Sequence, residues 1–502
     1  MRRARYTMPL SLEGDRPRDH GRCMMTMHTL CPGCPHPAGP RAANGQHGVR
    51  APRLQLLPAF IQWQWPERRS GCSWVRIVIQ EIVAKYLGRG VVFHSRAFVF
   101  LALVWLPCVT GATPDWAQLR ADVLALGRLD QAPVQHGAEG HAAEGGLRPI
   151  FFDGLPWKGQ PTRVFAWLGI PETASGRLPG VVLVHGGGGT AYKEWVKKWN
   201  ERGFAALAIA VEGQTDEPAV EPDRARNIFW KRHAWAGPAR SGIYHDSAWP
   251  LADQWMYHAV ADTVLANSLL RSLPPVDAAR VGVVGISWGG VITSTVIGID
   301  ARFAFAVPIY GCGDLARAGN QYGRALGDNE LYQQVWDPMR RLERAKLPVL
   351  WLSWPEDQHF PLDAQAACYR AAPGPHMVAL IPGMKHSHPA GWNPPDSYAF
   401  AESVVREGGP WLRQTGLTSS GGRVRMTFVS RKAVERAVLV STQGTGFTGT
   451  REWTQAPVRL DRRGDVYVVQ ADLPAATTAW FINLRAGPLT ASSDFQECPS
   501  AK

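Results

Sequence analysis

Residues 280–296 read RVGVVGISWGGVITSTV: a run of Val and Gly, the pentapeptide Gly285-Ile286-Ser287-Trp288-Gly289, then an apolar stretch with helical spacing. The pentapeptide fits G-x-S-x-G, a pattern that chance produces readily in a chain with 51 glycines among 502 residues. Its position is what carries information. A serine set between a buried strand and a helix sits on a turn so tight that the residues two before and two after it must be small, and Gly285 and Gly289 meet that need. Such a turn lifts the Ser287 hydroxyl to the carboxyl edge of a sheet and turns the backbone N–H of Trp288 toward the same point. The fold class follows from this reading: an α/β chain whose strands run mostly parallel.

The flanking sequence extends the pattern. Short apolar runs at 148–154, 162–170, 180–186, 203–211, 303–311, 347–354 and 376–383 alternate with helix-like stretches at 191–203 and 252–272, as expected of a parallel sheet covered on both faces. HGGGGT (185–190) leaves one of these strands. Its glycines let backbone N–H groups approach a substrate, with Gly187 the first candidate donor to an oxyanion and Gly188 the second. It lacks the G-K-[ST] of a phosphate loop. A serine nucleophile needs a base and an acid to orient it, in the chain order Ser, Asp, His. Asp357, in PEDQHF, follows the strand at 347–354, and His386, in MKHSH, follows the strand at 376–383. Glu356 and Asp363 are alternative acids, and His388 and His359 alternative bases. No motif calls for a metal or cofactor.

Charge and cysteine divide the chain in two. The net charge of +12 sits almost wholly in residues 1–112, where fifteen Lys and Arg face five acids; the remainder carries +2. No basic footprint for nucleic acid is left on the part expected to fold. AFVFLALVWL (97–106), behind Arg96 and before a small-residue stretch, reads as the core of a secretory signal peptide over 91–112. It is shorter than the ~20 apolar residues of a membrane span. Secretion or a periplasmic location is therefore expected, without stable membrane insertion after cleavage. Residues 1–90 show little periodicity and are expected to be a disordered or non-native leader, with translation starting near Val91 or Val92. Cys31 and Cys34 form an isolated CxxC with no second pair, so zinc is not expected. Among Cys312, Cys368 and Cys498, a Cys312–Cys368 disulfide and three free thiols are both open.

A catalytic domain is expected over 113–415. Two long insertions, at 213–249 and 312–346, would form walls facing substrate. The first is rich in aromatic residues (Phe229, Trp230, Trp235, Tyr244, Trp249), suited either to stacking on a substrate ring or to anchoring the loop. Its charged residues argue against an apolar interfacial lid. Beyond about 415, five or six short alternating runs with no helix suggest a small β-sandwich over 416–502 that either packs on the catalytic body or binds glycan through Trp453 or Trp480.

Over residues 150–410, VVLVHGGGGT, GISWGG, PEDQHFP and PGMKH stand in the order and spacing of the α/β-hydrolase superfamily. Within it the chain resembles the dienelactone hydrolase, acetylxylan esterase and prolyl oligopeptidase group. The resemblance implies a serine hydrolase without metal or cofactor, with Ser287, Asp357 and His386 as triad and Trp288 and the glycine loop as oxyanion donors. It departs from the pattern at Trp288, a bulky residue after the serine, and in the C-terminal sandwich. About 35 residues between the expected cleavage site and the first strand leave no room for the β-propeller that filters peptides in prolyl oligopeptidases. The expected activity is therefore a secreted serine esterase acting on a small-molecule or glycan ester. A peptidase or amidase is the alternative, followed by a non-catalytic glycan-binding scaffold.

Overall fold

The computed structural model describes residues 114–172, 176–224 and 228–498. The expected leader, start site, signal peptide and CxxC lie outside the described residues.

The central sheet is formed by β1 (Gln135–Gly137), β2 (Leu147–Asp153), β3 (Arg163–Gly169), β4 (Leu178–Val184), β5 (Ala205–Ile209), β8 (Val276–Ile286), β9 (Ala306–Ile309), β10 (Val349–Ser353) and β11 (His376–Leu380). β6 (Gln214–Asp223) and β7 (Ile228–Arg232) pair only with each other, as a hairpin within the first insertion. Across the central sheet the order is β1-β2-β3-β5-β4-β8-β9-β10-β11. β1, β2 and β3 pair antiparallel, as do β3 and β5, and from β5 to β11 every pairing is parallel. This is the α/β-hydrolase arrangement. The strands expected at 148–154 through 376–383 are all present, with ends shifted by a few residues.

The helices are α1 (Trp116–Ala125), α2 (Lys193–Asn200), α3 (Trp255–Ser272), α4 (Trp288–Val296), α5 (Gln321–Leu326), α6 (Leu362–Ala371), α7 (His388–Trp392) and α8 (Asp396–Glu407). Strands such as VVLV in β4 are buried on both faces because helices cover both sides, which is why they read as continuous apolar runs rather than alternating ones. α3 is buried on nearly every side, including at Asp262, and α4 is buried along its whole length. Among the described residues no helix is long and apolar enough to cross a membrane.

Eight strands follow the last helix: β12 (Leu412–Ser420), β13 (Arg423–Ser430), β14 (Arg436–Thr442), β15 (Thr454–Arg463), β16 (Val466–Asp472), β17 (Ala479–Ala486), β18 (Leu489–Ser492) and β19 (Gln496–Glu497). β12, β13, β16 and the end of β15 make one layer; the start of β15, β14, β17 and β18 make the other. The second layer continues the central sheet. β18 pairs with β11 at Ser492 and Val378, the Ser492 hydroxyl accepts from the Leu380 N–H at 2.7 Å, and the Asn483 amide donates to the Leu380 carbonyl at 2.9 Å. β12 itself runs across residues 415 and 416. Cys312, Cys368 and Cys498 are free thiols, so the Cys312–Cys368 disulfide is not formed; instead Cys368 Sγ accepts from the Gly313 N–H at 3.1 Å.

Burial without a countercharge pushes the Asp262 carboxyl up to about 8. Between about pH 4 and pH 8 the folded state then keeps a proton that the unfolded chain has released, so stability falls as pH rises through that window. Asp262→Asn is expected to remove this slope and to gain on the wild type progressively from pH 4 to pH 8. Chemical denaturation at several pH values checks it; parallel pH profiles for the two proteins would refute it.

Candidate active site

β4 and β8 lie side by side, with Val184 opposite Gly285, so the glycine loop and Ser287 leave the sheet next to each other. The turn at Ser287 has φ 57° and ψ −115°, a conformation costly for any residue with a side chain. Its neighbours explain the glycines. A Cβ on Gly285 would lie 2.0 Å from the Gly289 carbonyl oxygen, and one on Gly289 would lie 2.1 Å from the Val184 carbonyl oxygen. The Ser287 N–H donates to the Ile309 carbonyl at 2.9 Å, tying the turn to β9.

Ser287, His386 and Asp357 come together as expected. The serine hydroxyl donates to His386 Nε2 at 2.9 Å, and His386 Nδ1–H donates to Asp357 Oδ2 at 2.9 Å. Asp357 is buried and accepts three further bonds: from Trp354 Nε1 at 3.1 Å and from the backbone N–H groups of His359 and Phe360 at 2.7 and 2.9 Å. Four donors compensate its charge where water does not reach. The His386 ring packs against Tyr310, with centroids 4.4 Å apart, and is stacked by Phe360 at 5.9 Å. Tyr310 and Lys385, like Ser287, have positive φ, so backbone strain gathers around the histidine and the serine.

The C-terminal strands support the acid. A 3-10 turn at Thr448–Thr450 sits against the Asp357 loop so closely that a Cβ on Gly449 would lie 2.1 Å from the Asp357 carbonyl oxygen. Buried Thr448 accepts from the Leu362 N–H at 3.1 Å.

The alternatives lie elsewhere. Asp363 is in the first turn of α6, within 3.4 Å of the Thr448 hydroxyl, and Glu356 turns one carboxylate oxygen into the protein, where it has no partner among the described residues. His359 flanks His386 at 4.6 Å and accepts from Gln321 Nε2 at 2.8 Å. His388 has a different task from the one its position in MKHSH suggested. Its Nε2 accepts the Gly186 N–H at 2.9 Å, while His185 Nδ1–H donates to the Gly186 carbonyl at 2.7 Å. Burial pulls His388 down to about 4 and His185 to about 3, so both are neutral at pH 7, and between them they hold the two peptide units on either side of the Gly186 Cα. In sequence, the only sign of this pairing is the proximity of two histidines to the glycine loop and to MKHSH.

A cavity of about 430 Å³ opens over Ser287, bounded by Gly187, Trp288, Tyr322, His359, His386 and Arg240 among others. Gly187, the first candidate donor, thus borders the same cavity as Ser287 and Trp288. Gly188, the second choice, is not in the lining: its φ is 70° and its carbonyl accepts from Trp230 Nε1 at 3.0 Å. Trp288 packs among Tyr244, Trp255 and Tyr322, with ring centroids 5.6–5.8 Å away, which accounts for the bulk after the serine. The insertion's aromatics divide between braces, Tyr244 and Trp230, and the exposed rings of Trp235 and Trp249. Tyr244 is buried, Arg163 covers Trp235, and Lys158 covers Trp249. A larger cavity of about 790 Å³, beside the β6–β7 hairpin and lined by His136, His141 and Trp235, contains none of the triad. Among the described residues no group of His, Cys, Asp and Glu is arranged to hold a metal ion.

Residues 150–344 match the acetyl xylan esterase family. The match bears out the expectation of an ester hydrolase on the α/β-hydrolase fold. Solved structures similar to the chain include an acetyl xylan esterase from a Paenibacillus species, with 23% identity over 55% of this chain and 90% of that one and a TM-score of 0.42. Acetyl xylan esterase 1 from a Thermoanaerobacterium species has 19% identity over 54% and 88% of the two chains, with a TM-score of 0.43. A puromycin-hydrolyzing peptidase from Mycobacterium tuberculosis has 20% identity over 52% of this chain and 39% of its own, with a TM-score of 0.39. No curated protein matches the chain in sequence.

The strain at residue 287 yields a stability prediction. Ser287→Gly is expected to be more stable than Ser287→Ala by about 1 kcal/mol, because glycine alone adopts this conformation without a Cβ penalty. Equal unfolding midpoints for the two variants would show that the turn stores no such strain.

Proposed function

We propose that the chain is a secreted serine esterase that removes acyl groups from glycans of the acetylated-xylan type. The observation that carries this reading is the continuous pair of 2.9 Å hydrogen bonds from Ser287 through His386 to Asp357 at the base of an open cavity. The family match over 150–344 supports the ester substrate, and the apolar run at 97–106 supports secretion.

Ser287 Oγ attacks the ester carbonyl carbon as His386 Nε2 takes its proton. The negative charge that develops on the carbonyl oxygen is met by the N–H groups of Trp288 and Gly187, fixed before reaction by the helix start and by the pinned glycine loop. Collapse of the tetrahedral intermediate breaks the bond to the alcohol oxygen, which leaves with the proton from His386. Water then enters, gives a proton to His386 and attacks the acyl-enzyme; the acid departs and the proton returns to Ser287. Asp357 stays ionised throughout, holding the Nδ1–H tautomer and stabilising the imidazolium. His185 and His388 are positioning residues that keep the Gly186–Gly187 segment aimed at the oxyanion.

The defining test is hydrolysis of 4-nitrophenyl acetate and acetylated xylan by the wild type and Ser287→Ala. The variant is expected to fold and to lose at least about 10³-fold in kcat. Serine-dependent release of acetate from xylan supports the glycan reading. Turnover of anilides but not esters would move the assignment to an amidase, and wild-type rates in the variant would end it.

The role of His388 has its own test. His388→Ala is expected to lower kcat by about 10- to 100-fold with little change in KM, because the oxyanion donor is less well placed. His388→Gln, whose amide oxygen can accept from Gly186, is expected to recover part of the loss. Equal rates in both variants would leave His388 without this role.

A further inference from the structure

Arg240 comes from the first insertion, and among the described residues it is the one permanently charged side chain lining the cavity over Ser287; no Asp or Glu lines it. The side chain is almost wholly buried and held on several sides. Its Nε donates to Glu212 at 3.1 Å, its Nη1 donates to the Gly242 carbonyl at 2.7 Å, and its guanidinium carbon lies 5.2 Å from the centre of the Trp288 ring. Glu212 is buried behind it and does not face the cavity. The remaining nitrogen, Nη2, has no acceptor among the described residues. It points at the glycine loop, where a Cβ on Gly187 would lie 2.8 Å from Nη2 and 2.9 Å from Trp288 Cδ1. A fixed, half-satisfied guanidinium therefore stands beside the expected oxyanion donors. Tyr322, whose phenol burial pushes up and keeps protonated, lines the same cavity.

We infer that Arg240 is a substrate-recognition residue and that the preferred substrates carry a carboxylate a few bonds from the scissile ester. This rests on the esterase reading above. A neutral hydroxyl would use one N–H of Nη2, but a carboxylate there gains a charge-assisted bond in a site shielded from water. Glu212 and the Gly242 carbonyl hold the guanidinium rigid in advance, so little side-chain freedom is lost on binding. Either side of the ester can supply the carboxylate, as a dicarboxylic half-ester or as an acetylated hydroxy acid, including an acidic sugar.

Two substrate pairs separate these sources. Acyl-side recognition compares 4-nitrophenyl hemiglutarate with neutral 4-nitrophenyl valerate; alcohol-side recognition compares 4-acetoxybenzoate with its methyl ester. The wild type is expected to favour the anionic member of at least one pair by tenfold or more in kcat/KM, mostly through KM. Arg240→Gln is expected to reduce that ratio by tenfold or more, and Arg240→Lys to restore part of it. Because Arg240→Gln could fold poorly, the wild type is also tested with glutarate and glutaramide as inhibitors, glutarate being expected to compete at a concentration at least tenfold lower. No anionic preference in either pair, a preference that survives Arg240→Gln, or equal inhibition by the two compounds would each overturn the inference. Turnover that persists in Ser287→Ala would instead overturn the esterase reading, so the two failures are distinct.

Discussion

The structure depends on a turn with no room in it. Ser287 reaches the carboxyl edge of the sheet only because β8 ends and α4 begins within one residue, at φ 57° and ψ −115°. That geometry brings the carbonyl of Gly289 onto Gly285 and the carbonyls of Val184 and His185 onto Gly289 at distances no Cβ could tolerate. The buried β4–β8 pairing and the packed α4 hold the strain in place, since relaxing the turn would mean moving a strand or a helix in the centre of the molecule. The position of the nucleophile is thus set by the core rather than by the surface loops.

Around this fixed point the remaining groups are held by hydrogen bonds that burial strengthens. Asp357 accepts from four donors, and the C-terminal strands press a backbone turn against its loop. The glycine loop is flexible by composition and rigid by context, because two imidazoles kept neutral by burial grip the two peptide units that flank the Gly186 Cα, one accepting from its N–H and one donating to its carbonyl. A protonated imidazole at position 388 could not accept the Gly186 N–H. The low affinity of that ring for a proton is therefore part of how the loop keeps its shape at neutral pH.

What could be read from the sequence was whatever a local pattern forces. Val-rich runs buried on both faces announced the parallel strands, and Gly285 and Gly289 announced the turn, because each is the local consequence of a steric rule. Asp357 and His386 could be placed because each follows a strand, and parallel strands deliver their ends to one edge. The choice between His386 and His388 was open in MKHSH. It is resolved in space, where Lys385 adopts positive φ just before His386, and Ser387 caps α7 and carries His388 back under the glycine loop. Gly188 is as plausible a donor as Gly187 by composition, because loop composition does not reveal which peptide turns inward. Arg240 had no sequence signal at all: it sits among other charged residues of the insertion, and only the packing of Tyr244 and Trp288 brings it to the cavity.

That packing links the insertion to the elbow. Trp288 is at once the residue whose N–H follows the nucleophile, a ring buried against Tyr244 and Trp255, and the flat surface over which the Arg240 guanidinium lies. A smaller residue at 288 would leave the serine turn sterically satisfied, yet it would remove the support for Tyr244 and with it the anchor of the segment that carries Arg240. The bulk after the serine is a departure from economy in the elbow, and the insertion accounts for it. The residue proposed to complete the oxyanion site by its backbone shapes the wall of the cavity by its side chain, so in that proposal the position of the reacting carbonyl and the chemistry of what surrounds it are set by one amino acid.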